Sequence, residues 1–539
     1  MSGGTPALRT LLVGIDAACA NVLDPIFESG STPTLASLFE EGTAGRLESQ
    51  IPPWTASAWP SIYTGTNPGK HGVFGFLSFE GYDWRIVNAT HVREPMLWEL
   101  LDHHDVGSVV VNAPVTHPAP EIDGAIIPGY VAPEEPQCQP AGIFDEVRDH
   151  VGEYRIYPNG GNGDRASVAE YRNLVSMRGE AFRYLCDRFD PEFGFLQFQV
   201  TDTVLHEYPG DREKVQAVYE AVDRELEATF EECEPDTVIV VSDHGMDAYD
   251  QRFRMNDFLR ERGYIESTRG GVGMPTWAKI RDGQLVDGRE GTSNDRNWID
   301  HAMALAGSVG LTSQRIGRIL ERVGLAEFVM EVVPDDAIRS ASEQVDFAAS
   351  TAYMRTRIEC GVRLNVVGRE PDGVVSPTEY ERVREELMET LREARCPDGN
   401  PVFEAVGPRE EYFHGPYMED AVDIVTIPND FRYYLTTWLL GETFQDPSGP
   451  AWDHILDGVI AAHGEGIDEQ ASLGDAHLFD VAPTVLSTLG IPASDRMDGE
   501  ALPVVDPTDR TAYPDVDEEI EVVDQGAVET RLSDLGYIE

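Results

Sequence analysis

The chain has 539 residues, of which 41 are basic and 96 acidic, giving a formal charge of −55. A surface this acidic repels phosphate backbones and anionic lipid, which argues against a nucleic acid duplex or a membrane as partner. Global disorder is excluded as well, because 41% hydrophobic and 9% aromatic residues suffice for a core.

Only three of the basic residues are lysines, Lys70, Lys214 and Lys279. Acid excess with lysine almost absent is the composition of a halophilic protein, whose self-repulsion is screened where the Debye length falls to about 3 Å. The six cysteines, Cys19, Cys138, Cys186, Cys233, Cys360 and Cys396, form no C-x-x-C pair and fit no zinc or disulfide framework. They read as small buried hydrophobes in a reducing, cytoplasmic compartment. Residues 1–10 carry no signal-peptide pattern, and no apolar run is long enough to span a membrane. Nothing in the sequence sets an oligomeric state.

In chain order, Leu11-Leu12-Val13-Gly14-Ile15 predicts a buried parallel strand whose carboxyl end carries Asp16. A short helix is predicted from Thr34 to Phe39, and strands at Ser108–Asn112 and Gly194–Val200. The clearest strand runs from Thr237 to Ser242 and ends in Asp243-His244-Gly245. Helical patterns lie between these strands, at Ala166–Cys186 and Glu213–Glu231. Strands alternating with helices predict an α/β fold: a mostly parallel central sheet with helices on both faces. Ligands in such sheets bind outside the carboxyl ends of the strands.

The alternation breaks after Tyr264-Ile265. Residues 267–339 are Gly-rich, then helical, as at Ser313–Val323, and read as a helical insertion or cap. Strand patterns resume at Val362–Val367, Ala421–Pro428 and Gly458–Ala462. The expected organisation is a catalytic domain of residues 1–266 and 340–505, the insertion 267–339, and an acidic tail 506–539 that is peripheral or partly disordered.

The polar residues at strand ends form a set. Asp16 ends the first strand, Thr55 sits in Pro52-Pro53-Trp54-Thr55, Asp202 and His206 form D-x-x-x-H, Asp243 and His244 follow the strongest strand, and His454 precedes Gly458. Asp202 and His206 share a helix face if a helix begins there. Carboxylates and imidazoles together are borderline ligands that suit zinc, with manganese and iron as alternatives. Two cations about 4 Å apart hold both the attacking and the leaving oxygen of an in-line displacement.

On these residues the chain resembles the alkaline phosphatase superfamily, in particular its type I phosphodiesterase/nucleotide pyrophosphatase branch. The resemblance is carried by Gly14-Ile15-Asp16, by Pro53-Trp54-Thr55 through Thr64-Gly65, by Pro68-Gly69-Lys70-His71-Gly72, and by Thr201-Asp202-x-x-x-His206. It continues through Ser242-Asp243-His244-Gly245, Asn256-Asp257, His454-x-x-x-Gly458 and Met497-Asp498-Gly499. It implies two divalent metal ions. Asp16, Thr55, Asp243 and His244 would hold one, with Thr55 also the catalytic nucleophile; Asp202, His206 and His454 would hold the other. His463, in Ala462-His463-Gly464, competes with His454, which fits the His-x-x-x-Gly spacing better.

The resemblance further implies hydrolysis of a small-molecule phosphoester through a phosphothreonine. The alternatives are a phosphomonoesterase, phosphotransferase or phosphomutase of the same superfamily, or a non-catalytic binding protein on this fold. One position departs from the pattern: Ala58 stands where nucleotide pyrophosphatases carry a phosphate-binding Asn, so that oxygen needs another donor, such as the N–H of Ala56. A sulfatase is disfavoured because C/S-x-P-x-R is missing at the nucleophile position.

Overall fold

A computed structural model describes residues 8–158, 166–269, 343–516 and Val528. Its centre is an eight-stranded sheet. The strands are β1 (Thr10–Ile15), β2 (Thr43–Glu48), β3 (Ser108–Val111), β4 (Gly124–Ile127), β5 (Phe193–Phe198), β6 (Thr237–Val241), β7 (Asp457–Gly464) and β8 (Ala476–His477), in the order β8-β2-β7-β6-β1-β5-β3-β4. From β6 to β4 all five strands are parallel, as the apolar runs predict. β7 runs antiparallel to both β6 and β2. That reversal starts β7 at the edge where the parallel strands end.

Alternate residues of each strand feed two separate cores. Leu12, Val110, Phe195, Ile239 and Val241 pack on one face beneath helices α1 (Thr55–Thr64) and α5 (Val481–Leu489). Leu11, Val13, Val109, Leu196 and Val240 pack on the other beneath α2 (Val168–Phe189) and α4 (Arg212–Cys233). Burial on both faces is why these strands read as unbroken apolar runs rather than alternating ones. Helix α3 (Val200–Glu207) follows β5 directly. The six cysteines are free thiols.

A second, four-stranded sheet is built from Ala352–Tyr353, Gly361–Leu364, Ile424–Pro428 and Phe403–Pro408, all antiparallel, with its own apolar core. It falls within the expected 340–505 portion but does not extend the central sheet. Asn256 and Asp257 tie together segments that pack around this second core. The Asn256 amide donates to the carbonyls of Met354 and Thr437, and the Asp257 carboxylate accepts from the N–H groups of Leu440 and Gly441.

The expected insertion leaves and returns through an antiparallel pair, Ser267–Arg269 with Glu343–Val345. Residues 270–342, with the helix read at 313–323, lie outside the described residues. The start of the acidic tail packs against the body: Arg510–Thr511 pairs with Ala493–Ser494, and Tyr513 is buried. No helix among the described residues is long and apolar enough to cross a membrane.

Candidate active site

Asp16 follows β1, Asp243 and His244 follow β6, and Asp202 lies in the first turn of α3, so adjacent parallel strands deliver all four to one edge of the sheet. Asp16, Thr55, Asp202, Asp243, His244 and His454 are buried, and His206 is nearly so. Gly14 is required by this packing. The Trp59 ring lies where a Cβ would stand, 2.4 Å away, and its indole N–H donates to Asp16 Oδ2 at 3.1 Å. The Gln197 amide donates to the same oxygen at 2.8 Å.

Three oxygens converge on His244 Nε2: Thr55 Oγ1 at 3.3 Å, Asp243 Oδ2 at 3.2 Å and Asp16 Oδ1 at 3.5 Å. Both carboxylate oxygens are buried with no hydrogen-bond partner. The Nδ1–H of His244 donates to the Gly245 carbonyl at 3.1 Å, which turns Nε2 toward these oxygens. Two carboxylates, a hydroxyl and an imidazole nitrogen therefore face one another in a buried pocket, a donor set that suits a divalent cation. The electrostatics agree. Burial, then the charges of Asp243 and Asp202, push the Asp16 carboxyl well above the usual carboxylate range. Burial also raises Asp243, against the pull of His244.

A second donor set adjoins the first. The i, i+4 spacing on α3 puts Asp202 and His206 on one face, with His206 Nε2 3.3 Å from Asp202 Oδ1. His454 Nε2 lies 3.4 Å from the same oxygen and 2.9 Å from His206 Nε2. The His454 Nδ1–H donates to the Pro53 carbonyl at 2.9 Å, which turns its Nε2 toward this set. Burial would raise Asp202, but contact with His206 and His454 outweighs it and holds the carboxyl well below its ordinary value. Burial, then the neighbouring His244, pushes the His454 imidazole well down. The His454 and His244 rings stack with centroids 3.7 Å apart, joining the two sets.

The rivals lie elsewhere. His463 is on β7 opposite Val238, near the start of β6 and so at the far edge of the sheet, and it pairs with Glu469 at 2.8 Å. Gly458 has a packing reason of its own: a Cβ there would stand 2.5 Å from Ser242 Oγ. Ser57 Oγ donates to the carbonyls of Pro52 and Trp54, and Ser61 Oγ to Gln50 Oε1, so neither hydroxyl takes part in the His244 contacts. Thr55 is the first residue of α1, whose opening N–H groups have no carbonyl one turn back. The N–H groups of Ser57 and Ala58 return to the Trp54 carbonyl.

Two neighbours escaped the sequence reading. Asp453 places a ligand atom within 4.8 Å of His206 and His454, and Arg357 pairs with Asp453 at 3.3 Å. The adjacency of Asp453 to His454 was the only hint of the first; nothing local marked Arg357. Two other motif blocks are scaffold. Asp498 accepts from the Asn67 backbone and side chain at 2.8 and 2.9 Å and pairs with Lys70, fastening the segment after α1.

The profile of the type I phosphodiesterase/nucleotide pyrophosphatase family matches residues 10–314, more than half of the chain. The chain belongs to this family. It is accordingly a hydrolase of the phosphoester class; the family is metal-dependent, and the buried donor groups are the candidate ligands. No protein of curated function matches the chain in sequence. Among solved structures it is similar to phosphonoacetate hydrolase from Sinorhizobium meliloti 1021 in complex with phosphonoformate, at 18% identity and TM-score 0.56, covering 89% of this chain and 95% of that one. The same enzyme with phosphonoacetate gives 17% identity, TM-score 0.56 and the same coverage. At these identities the likeness is one of fold.

Proposed function

We propose that the chain hydrolyses a small-molecule phosphodiester or pyrophosphate with Thr55 as nucleophile. The observation that carries this reading is the convergence of Thr55 Oγ1, Asp16 Oδ1 and Asp243 Oδ2 on His244 Nε2 at the start of α1. Asp16, Thr55, Asp243 and His244 would hold one divalent cation, and Asp202, His206 and His454 the other, most simply Zn²⁺ or Mn²⁺ given the donors. When bound, the cations supply charge stabilisation and ease deprotonation of the threonine hydroxyl and of a water.

Thr55 Oγ1 attacks phosphorus, the bond to the leaving oxygen breaks on the opposite side, and a phosphothreonine forms. Water then attacks that phosphorus, and Thr55 regains its proton. The opening N–H groups of α1, with that of Ala56 in place of the side chain that Ala58 lacks, donate to the equatorial phosphoryl oxygens. Trp59 and Gln197 hold Asp16 in orientation throughout.

The test compares hydrolysis of aryl phosphate diesters, monoesters, nucleotides, phosphonates and sulfate esters, with Zn²⁺ and Mn²⁺ each added, alongside elemental analysis. Diester or pyrophosphate turnover at about two metals per chain supports the reading. Turnover unaffected by chelation overturns it. The acid excess fits a cytoplasm of high salt; a melting temperature that rises as salt is removed contradicts that part. The insertion 267–339, set between two segments of the site domain, is the natural place for substrate selection.

A further inference from the structure

Five planar groups stack in a row through the site. The Tyr434 ring lies 4.4 Å from the Arg357 guanidinium, Arg357 lies 4.4 Å from the Trp54 ring, and Trp54 lies 4.1 Å from His454. His454 lies 3.7 Å from His244, whose Nε2 meets Thr55 Oγ1. The row crosses between parts of the chain. Tyr434 is on the strand Tyr433–Thr436, Arg357 is in the loop between the strands Ala352–Tyr353 and Gly361–Leu364 of the second sheet, Trp54 immediately precedes Thr55, and His454 and His244 belong one to each donor set. Trp54 has two ties to His454, since the carbonyl of its neighbour Pro53 also accepts the His454 Nδ1–H.

Arg357 is 3% exposed. A buried guanidinium beside a site meant for cations is costly unless its charge is offset. Asp453 offsets it: Arg357 Nη1 lies 3.3 and 3.5 Å from the two Asp453 oxygens. The pair adds no net charge, and it fixes Asp453, the chain neighbour of His454. A planar cation between two aromatic faces is a task a lysine performs poorly.

We propose that Arg357 is the positioning residue of this site. Clamped between Tyr434 and Trp54 and anchored on Asp453, it holds the nucleophile loop and the His454 imidazole in one register. This rests on the two-metal reading above.

The test titrates metal-free wild type, Arg357→Met, Arg357→Lys and Tyr434→Leu with Co²⁺ alone, following visible absorption, and measures kcat and KM separately. Arg357→Met is expected to weaken one of two Co²⁺ sites and to lower kcat, each by about 10- to 100-fold, with KM nearly unchanged. Arg357→Lys should recover part of this, and Tyr434→Leu should lose less in the same direction. If Arg357→Met does not fold, the other two variants decide. Wild-type Co²⁺ affinities, spectrum and kcat in all folded variants overturn the role of Arg357 alone. A raised KM at unchanged kcat also overturns it, since Arg357 would then touch substrate. A wild-type protein that takes up no Co²⁺ overturns the two-metal reading and this inference with it.

Discussion

The protein buries carboxylates in two places and treats them in opposite ways. In the second sheet, Asp423 is fully buried and accepts from Arg369 at 2.7 Å through both nitrogens, from Arg409 at 3.2 Å, from the Tyr380 hydroxyl at 2.8 Å and from the Leu364 N–H at 2.7 Å. Burial would raise its carboxyl, but Arg369, Arg363 and Arg409 bring it down to about 2. At the strand ends of the central sheet, Asp16 is equally buried but has only the neutral Trp59 and Gln197 as donors, and its carboxyl goes up instead. A buried charge is tolerated when its partner is supplied. The Asp423 cluster supplies its own cations and is structural. The Asp16 cluster does not, which marks it as a place for cations from outside.

The largest expected effect tests the second cluster as chemistry. Thr55→Ala should lower turnover by roughly 10⁴-fold or more while the far-ultraviolet circular dichroism and metal content change little, and Thr55→Ser should retain part of the rate. Near wild-type rates in Thr55→Ala, with loss in Ser57→Ala, would move the nucleophile and remove the contrast.

Next comes the self-sufficient cluster. Asp423→Asn leaves the half-buried Arg369 and the buried Arg409 facing a neutral amide and should cost about 3–5 kcal/mol in urea unfolding. Hydrolysis per folded molecule should be unchanged. A loss of activity without a loss of stability would mean that this cluster also serves the site.

Acid titration separates further buried groups. Burial lowers His71 to about 3 and His91 and His117 to about 4. The unfolded chain, with histidines near 6.5, binds protons that the folded chain refuses, so each residue withdraws about 1.4 kcal/mol per pH unit as pH falls from about 6.5 toward its folded value. Asp423 behaves as a depressed carboxyl: its contribution is complete above about 4 and is lost as pH falls toward about 2. Asp16 has the reverse sign in metal-free protein, because its folded value is raised: its contribution is complete at low pH and lost as pH rises through that value. Unfolding free energy measured from pH 7 to 3 in metal-free protein should therefore flatten at its acid end in Asp423→Asn. A slope between pH 6.5 and 4 that is absent in wild type would remove the histidine argument.

The smallest effect is the most discriminating. Asp16→Asn removes one of the mutually repelling carboxylates and offers an amide N–H to the unpartnered Asp243 Oδ2. It should raise the melting temperature of metal-free protein by a few degrees while abolishing the further rise that Zn²⁺ gives the wild type. A fall in the metal-free melting temperature would place Asp16 with Asp423, as a structural carboxylate.

Much of this was legible before folding was considered. The unbroken apolar runs at 11–15, 194–198 and 237–241 announce strands buried on both faces, and parallel strands end on a common edge. Asp16, Asp202, Asp243 and His244 could therefore be grouped from their places at strand ends, and Asp202 with His206 from helical spacing alone. Other features were not local. His454 precedes β7 and His463 lies near its end, and only the antiparallel run of β7 against β6 sets His454 at the edge that carries Asp243 and His463 at the opposite one. Strand direction depends on which distant strand is the neighbour, and no residue pattern within the strand records it. Arg357, Asp453 and Tyr434 belong to the site for the same reason. Arg357 meets Trp54, Tyr434 and Asp453 only after distant segments of the chain have packed, and an isolated arginine in a loop carries no periodicity from which such contacts could be read.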